Sequence, residues 1–281
     1  MSQMETRRMC PHCRAFITTK DRVCPYCNER VGERAIDRRD PSPILGLIPN
    51  AQFVTSIILL VNIGLYIATT LYSMRGGNAN AFFGIDGQTL FNFGAKYSAA
   101  IRASQWWRLV TAGFLHGGLL HIGMNSLALF QVGAQVEQIY GASRMLVIYF
   151  VATISGFYLS YRFASYSLSV GASAAIMGLI GAMIALSAHH RSALTSAIRR
   201  DYIVWVVLIL VMGRLSSQID NYAHIGGLAG GFGLAYFAGL PRWDGSPREQ
   251  GWRIASYVCI GLTALCFFDM YQSFTRGGAL F

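Results

Sequence analysis

The chain has 281 residues, of which 53% are hydrophobic and only 13% charged. Soluble domains carry about 25% charged residues, so this sequence has too little polar surface to coat a water-soluble globule. A formal net charge of +10 would suit nucleic acid. However, nine of the 23 Lys and Arg precede the first apolar run and most others fall in short loops, which is the pattern of membrane orientation and argues against a nucleic-acid partner.

In chain order, residues 1–30 come first. The first 40 residues are polar and lack the apolar stretch of a signal peptide. Cys10-Pro-His-Cys13 and Cys24-Pro-Tyr-Cys27 form two CxxC knuckles separated by ten residues. Each pair can point two thiolates at one ion, and four thiolates make the closed tetrahedral site that zinc favours. So short a polar segment has no core to replace the metal. The expected role of the metal is therefore structural, in a zinc-ribbon-like module for recognition or regulation, with a protein partner as one candidate. His12 is an alternative ligand. Disulfides and iron are the competing chemistries, the former disfavoured on a reducing side of a membrane.

Residues 31–50 read as a charged linker in which Asp40-Pro-Ser-Pro43 stops any helix. Seven apolar runs follow, at about 52–74, 118–138, 145–162, 172–188, 202–219, 222–240 and 254–273. Each is close to the roughly 20 residues that cross a bilayer. Between the first two lies a long loop rich in aromatics (Phe82, Phe83, Phe91, Phe93, Trp106, Trp107), suited to the membrane interface. With the amino terminus inside, 16 of the 23 Lys and Arg fall on the inner side. An odd number of spans then leaves the carboxyl terminus outside.

Polar residues inside spans are costly and point to function. His121 and Asn125 share one face of the second span, four residues apart. Ser173 opens the fourth span after Gly171, and His224 opens the sixth. His224, Gly227 and Gly231 form one stripe that lets a neighbouring helix approach along the histidine's own face. Two such helices in contact would bring the Ser173 hydroxyl beside the His224 imidazole. That pair supports acyl transfer, with Ser173 as nucleophile and His224 as general base. Oxyanion donors are available from the Ser173 backbone N–H at a helix start, His121 and the Asn125 amide. No carboxylate lies in the apolar core of a span, which favours a dyad over a triad. Asp220, one turn before His224, is the alternative orienting group. Arg108 and Glu137 read as scaffold, for the outer loop and the inner end of the second span. His116 is expected to stabilise the loop, and His189-His190 to sit at the inner interface.

The ordered set His121-Ile-Gly-Met-Asn125, Gly171-Ala-Ser173 and Ala223-His-Ile-Gly-Gly227-Leu-Ala-Gly-Gly231 resembles the rhomboid intramembrane protease family. Trp107-Arg108 and Glu137-Gln-Ile-Tyr-Gly141 match further family positions. The resemblance covers residues 52–240 and implies an all-α polytopic membrane protein with a six-helix core at 51–240. It implies a Ser173–His224 dyad with His121 and Asn125 at the oxyanion hole. It further implies water access from the outer side and single-pass transmembrane substrates in the lipid bilayer, with no cofactor for catalysis. The run at 254–273 looks like the extra carboxyl-terminal helix of a six-plus-one subset. A bacterial cytoplasmic membrane is the expected location. Two positions depart from the family pattern: Ala174 replaces the usual glycine after the serine, and Met177 stands where many members carry an aromatic that packs on the histidine. A rival reading is a non-catalytic rhomboid-like protein that binds and delivers membrane clients, but such proteins lack the nucleophile or base. No His-Glu-x-x-His is present for a metalloprotease, Gly84-Ile-Asp86 is not an aspartyl-protease motif, and no repeat of halves suggests a transporter.

Overall fold

The computed structural model describes residues 7–10, 13–18, 21–29, 31, 52–164, 168–189, 193–216, 218–241 and 246–276. The linker expected at 31–50 lies, Val31 apart, outside the described residues, as do His12 and His190.

The amino-terminal module is a two-stranded antiparallel hairpin, β1 (Arg7–Met9) with β2 (Phe16–Thr18), pairing Met9 with Phe16. Its core is minute: Cys10, Ile17, Cys24 and Val31 are all buried. A core of that size cannot hold a fold without a staple.

The rest is helical. α1 (Phe53–Arg75) is followed by the short outer helices α2 (Gly87–Asn92), α3 (Ser98–Arg102) and α4 (Arg108–Thr111). Next come α5 (Leu119–Ala128), a π-helical turn at Leu129–Gly133, α6 (Ala134–Tyr140) and α7 (Ala142–Phe163). α8 (Ser173–His189), α9 (Ala193–Leu215), α10 (Asn221–Ala238) and α11 (Pro247–Thr275) complete the chain. Among the described residues, α1, α7 and α11 are long and apolar enough to cross a membrane on those grounds alone. The other expected spans are more irregular. The second is broken into α5 and α6 by the π turn. α8 is a short apolar helix buried along most of its length. α9 begins nine residues before its apolar run, because Ala193–Asp201 is rich in helix formers that hydropathy overlooks.

The core is a stack of α7, α8 and α10 joined through small residues. The largest helix contacts are those of α10, with α8 and then with α7. Against α8, a Cβ on Gly231 would lie 2.1 Å from the Gly178 carbonyl oxygen, and one on Gly227 only 2.0 Å from that of Ala174. Against α7, a Cβ on Gly226 would lie 2.5 Å from the Ser155 carbonyl oxygen, and one on Gly230 would lie 2.1 Å from the Ser155 hydroxyl. Glycines thus line two faces of α10, and backbones touch on both. Lipid tails give no hydrophobic drive between helices, so close backbone packing of this kind is what associates them.

Buried polar groups tie the periphery to this core. The Glu137 carboxylate of α6 accepts from the backbone N–H groups of Val54 and Thr55, each at 2.9 Å, and from the Thr55 hydroxyl at 2.7 Å. It satisfies the first turn of α1, where amides have no helical partner and the helix dipole favours an anion. Arg108 is buried in the outer loop. It donates to the carbonyls of Phe91 (2.7 Å) and Ala95 (2.9 Å) and to Gln105, with its guanidinium 4.1 Å from the Phe91 ring centre. Phe82, Phe83 and Trp106 face outward from the same loop, as aromatics at a bilayer interface do.

α11 is held at both ends. Near its start Glu249 receives two hydrogen bonds from Arg144 of α7, at 2.5 and 2.7 Å, with both side chains buried. At its far end Phe274 packs edge-on against Tyr72 and Phe93, with ring centres 5.4 and 5.5 Å away. Removing one partner of a buried ion pair strands the other and costs about 3–5 kcal/mol. Glu249→Ala is therefore expected to lower the thermal midpoint in detergent sharply, while Arg144→Met/Glu249→Leu recovers most of the loss. A single variant that melts like wild type would show the pair to be idle.

Candidate active site

Ser173 and His224 are adjacent: His224 Nε2 lies 2.9 Å from Ser173 Oγ. Three local features produce this. First, Gly227, one turn beyond the histidine, rests against the backbone of Ala174, so the two helices meet beside the serine. Second, Gly171 takes φ +131, a conformation favourable only to glycine, and its N–H donates to the Ala112 carbonyl at 2.9 Å, which fixes the entry into α8. Third, Asp220 caps α10 by accepting from Ala223 N–H at 3.0 Å, which sets where His224 leaves the helix.

Asp220 does not orient the imidazole. Its carboxylate accepts from the Ala223 N–H and the Ser160 hydroxyl instead, and among the described residues His224 Nδ1 is buried with no hydrogen-bond partner. Among the described residues, no carboxylate is hydrogen-bonded to the His224 ring.

His121 lies close to the serine across Gly171. A Cβ on Gly171 would fall 2.8 Å from His121 Nε2 and 3.5 Å from Ser173 Oγ, so the absent side chain opens a space shared by both groups. Gly117 N–H donates to His121 Nδ1 at 3.3 Å. An accepting Nδ1 leaves the proton of the neutral ring on Nε2, facing that space. Asn125, one turn on from His121, gives one of its amide hydrogens to the His121 carbonyl, at 2.9 Å, leaving the other as donor. The His116 ring is edge-on to that of His121, 5.2 Å between centres. Ala174 is fully buried, and its Cβ would meet a side chain on Gly156 at 2.8 Å. Met177 is buried in the core below the serine.

Sequence reasoning singled out the stripe of Gly227 and Gly231. It missed Gly156 and Gly178, the small residues facing that stripe from α7 and α8. The signal was present in Gly226 and Gly230, a second pair at helical spacing on α10.

In the amino-terminal module the sulfurs of Cys10, Cys13, Cys24 and Cys27 all lie within 4.8 Å of one another. Cys10–Cys27 and Cys13–Cys24 are 3.7 and 3.6 Å apart. That is close to the ~3.8 Å edge of a tetrahedron with zinc–sulfur bonds of about 2.3 Å. The two knuckles are copies of one turn. Arg14 and Asn28, each following the second cysteine, take φ 60 and 57, and their N–H groups return to the carbonyls of Cys10 and Cys24. The donor set fits zinc.

Comparison with known proteins fits this geometry. The Rhomboid domain family model matches residues 103–240, which include all of His121, Asn125, Ser173 and His224. The rhomboid protease GluP of Bacillus subtilis is 41% identical over 172 residues, 61% of this chain and 32% of GluP. RHOMBOID-like protein 6, mitochondrial, of Arabidopsis thaliana is 35% identical over 59% of this chain and 54% of its own length. Rhomboid-like protease 3 of Toxoplasma gondii is 32% identical over 185 residues, and the match covers 67% of that protein. The chain belongs to the rhomboid family. It is an all-α membrane protein with a rhomboid helical core, an added carboxyl-terminal apolar helix and a cysteine module suited to zinc. The chain spans about a third of GluP and about half of the Arabidopsis protein.

Proposed function

We propose that this rhomboid chain is an intramembrane serine endopeptidase that hydrolyses peptide bonds in or beside single transmembrane helices. The observation that carries the reading is the 2.9 Å approach of His224 Nε2 to Ser173 Oγ, and two of the relatives named above are called proteases. In this reading Ser173 Oγ attacks the scissile carbonyl carbon while His224 Nε2 takes the hydroxyl proton. The carbonyl oxygen becomes an oxyanion that receives hydrogen bonds from Ser173 N–H, His121 Nε2–H and the remaining Asn125 N–H. Collapse breaks the C–N bond, and His224 returns the proton to the leaving amine. Water, activated by the same imidazole, then attacks the acyl-enzyme and releases the carboxylate product and Ser173. In this reading the glycine contacts between α8 and α10 keep Ser173 beside His224, which supports a dyad.

The protease core is assigned to residues 51–240 and the seventh helix to 254–273, with the amino terminus inside and the carboxyl terminus outside. The distribution of Lys and Arg supports this orientation. A bacterial cytoplasmic membrane is the proposed setting. The test of the function is reconstitution in lipid vesicles with a single-pass substrate whose helix carries a destabilising residue. Two products from one cut at membrane depth are expected, and an intact substrate alongside folded protein would remove the reading.

Residues 1–30 are assigned as a structural zinc module that presents its surface to a protein partner. The reduced full chain is expected to contain one zinc per molecule, and Cys24→Ser to lose it, by elemental analysis. Chelation is expected to leave the cleavage rate unchanged, since the proposed chemistry uses no metal. A metal-free wild type would refute the zinc assignment, and a rate that falls with the zinc would refute its separation from catalysis.

A further inference from the structure

Lys96 has no part in the chemistry above, yet it is fully buried. Lysine is almost never buried without a specific reason. Its location supplies one. The residue lies between α2 and α3 in the outer loop, and its backbone pairs in both directions with Ser169, N–H to carbonyl at 2.9 Å and carbonyl to N–H at 3.1 Å. Its ammonium reaches the carbonyl of Ala164, just past the end of α7, at 2.6 Å. One residue therefore grips both ends of the connection from α7 to α8. Two residues beyond Ser169, Gly171 hangs on Ala112, and two beyond that stands Ser173. Nearby, Ser98 donates to the Tyr161 carbonyl at 3.4 Å, bracing the same end of α7.

We infer that Lys96 is a positioning residue whose ammonium sets the approach of the Ser173-bearing segment to His224. The inference rests on the protease reading. A cation is favourable at a helix carboxyl end, where carbonyls lack partners, and a charge-assisted hydrogen bond is shorter and stronger than a neutral one. The device has a cost. Burial pushes the Lys96 ammonium down to about 8, against the opposing pull of the Asp220 carboxylate at the cap of α10. The nearby Arg108 guanidinium is held on the Ala95 carbonyl.

The sign of the pH effect follows. Below about pH 8 the folded and unfolded chains both carry the proton, and burying the charge costs stability. From there up to the ordinary lysine range the folded chain releases its proton first, so stability rises with pH while the grip on Ala164 weakens. Stability and activity are thus expected to move in opposite directions, which a merely structural lysine would not produce.

The test compares wild type, Lys96→Met, Lys96→Arg and Ser173→Ala in lipid vesicles across the alkaline range. Lys96→Met is expected to melt no lower than wild type at neutral pH and to lose about tenfold or more in kcat with KM little changed, the signature of misplaced reacting groups. In wild type the rate is expected to fall as Lys96 deprotonates, and hydrogen exchange at Ser169 N–H to speed up relative to amides within α8. In Lys96→Arg the alkaline fall is expected to move to higher pH. Full activity in Lys96→Met, its failure to fold, an alkaline limb unmoved in Lys96→Arg, or Ser169 protection constant through that range would each overturn the inference. The protease reading fails separately, if Ser173→Ala still cuts.

Discussion

Ser173→Ala is expected to abolish cleavage of a transmembrane substrate in vesicles, and His224→Ala to do the same, with falls of about a thousandfold or more in each. The two losses are not expected to add, because nucleophile and base act as one unit: a hydroxyl without its base is nearly inert, and a base without its hydroxyl has nothing to activate. The double variant should therefore be no slower than either single one. Both are expected to fold. Ser173 Oγ and His224 Nε2 are 2.9 Å apart, but the contact between α8 and α10 is made by backbone and glycine below them, and removing either side chain leaves it in place. Equal melting temperatures alongside lost turnover would separate chemistry from stability. Wild-type turnover in either variant would show that another group does the work.

Gly227→Ala is expected to damage both stability and activity, in contrast to Gly233→Ala on the same helix. A Cβ on Gly227 would lie 2.0 Å from the Ala174 carbonyl oxygen and 2.8 Å from its carbon, both backbone atoms that cannot swing aside. α10 must then move away from α8, or the chain must strain, at a cost of about 1–3 kcal/mol or more. The displacement falls one residue from Ser173 and one turn from His224, and a shift of about 1 Å at reacting groups costs on the order of 100-fold in rate. At Gly233 a Cβ meets nothing within 4 Å. There alanine is expected to be neutral or to stabilise by up to about 1 kcal/mol through its better helix propensity. Thermal unfolding and cleavage rates of the two variants in one detergent check the pair. A Gly227→Ala protein as stable and active as Gly233→Ala would mean that α8 and α10 are not close-packed there.

What could be read in the sequence was periodic or local. Long apolar runs announced membrane helices, and the stripe of His224, Gly227 and Gly231 announced a close approach, because one face of a helix recurs every 3.6 residues. The cysteine knuckles were legible because both ligands of each pair sit within four residues. Glu137 could be read as scaffold at the inner end of its span, but the partners of the bracing groups were not legible, since they are remote. Glu137 caps α1 from 82 residues away, and Arg144 meets Glu249 across 105. No periodicity encodes such pairings. The π turn at Leu129–Gly133 was hidden for another reason. Its residues are as apolar as the flanking helix, and only the hydrogen-bond register distinguishes it. Asn125 marks a third limit. Its spacing from His121 places the two on one face, but spacing does not show that part of the amide is spent on the His121 carbonyl.

The most direct measurement is labelling of the purified, membrane-reconstituted protein with a fluorophosphonate probe, followed by peptide mapping of the adduct. Only a hydroxyl activated by a neighbouring base should react quickly, so a single adduct on Ser173 is expected, with labelling lost in His224→Ala. An adduct on any other residue, or equal labelling of Ser173 when His224 is absent, would contradict the account.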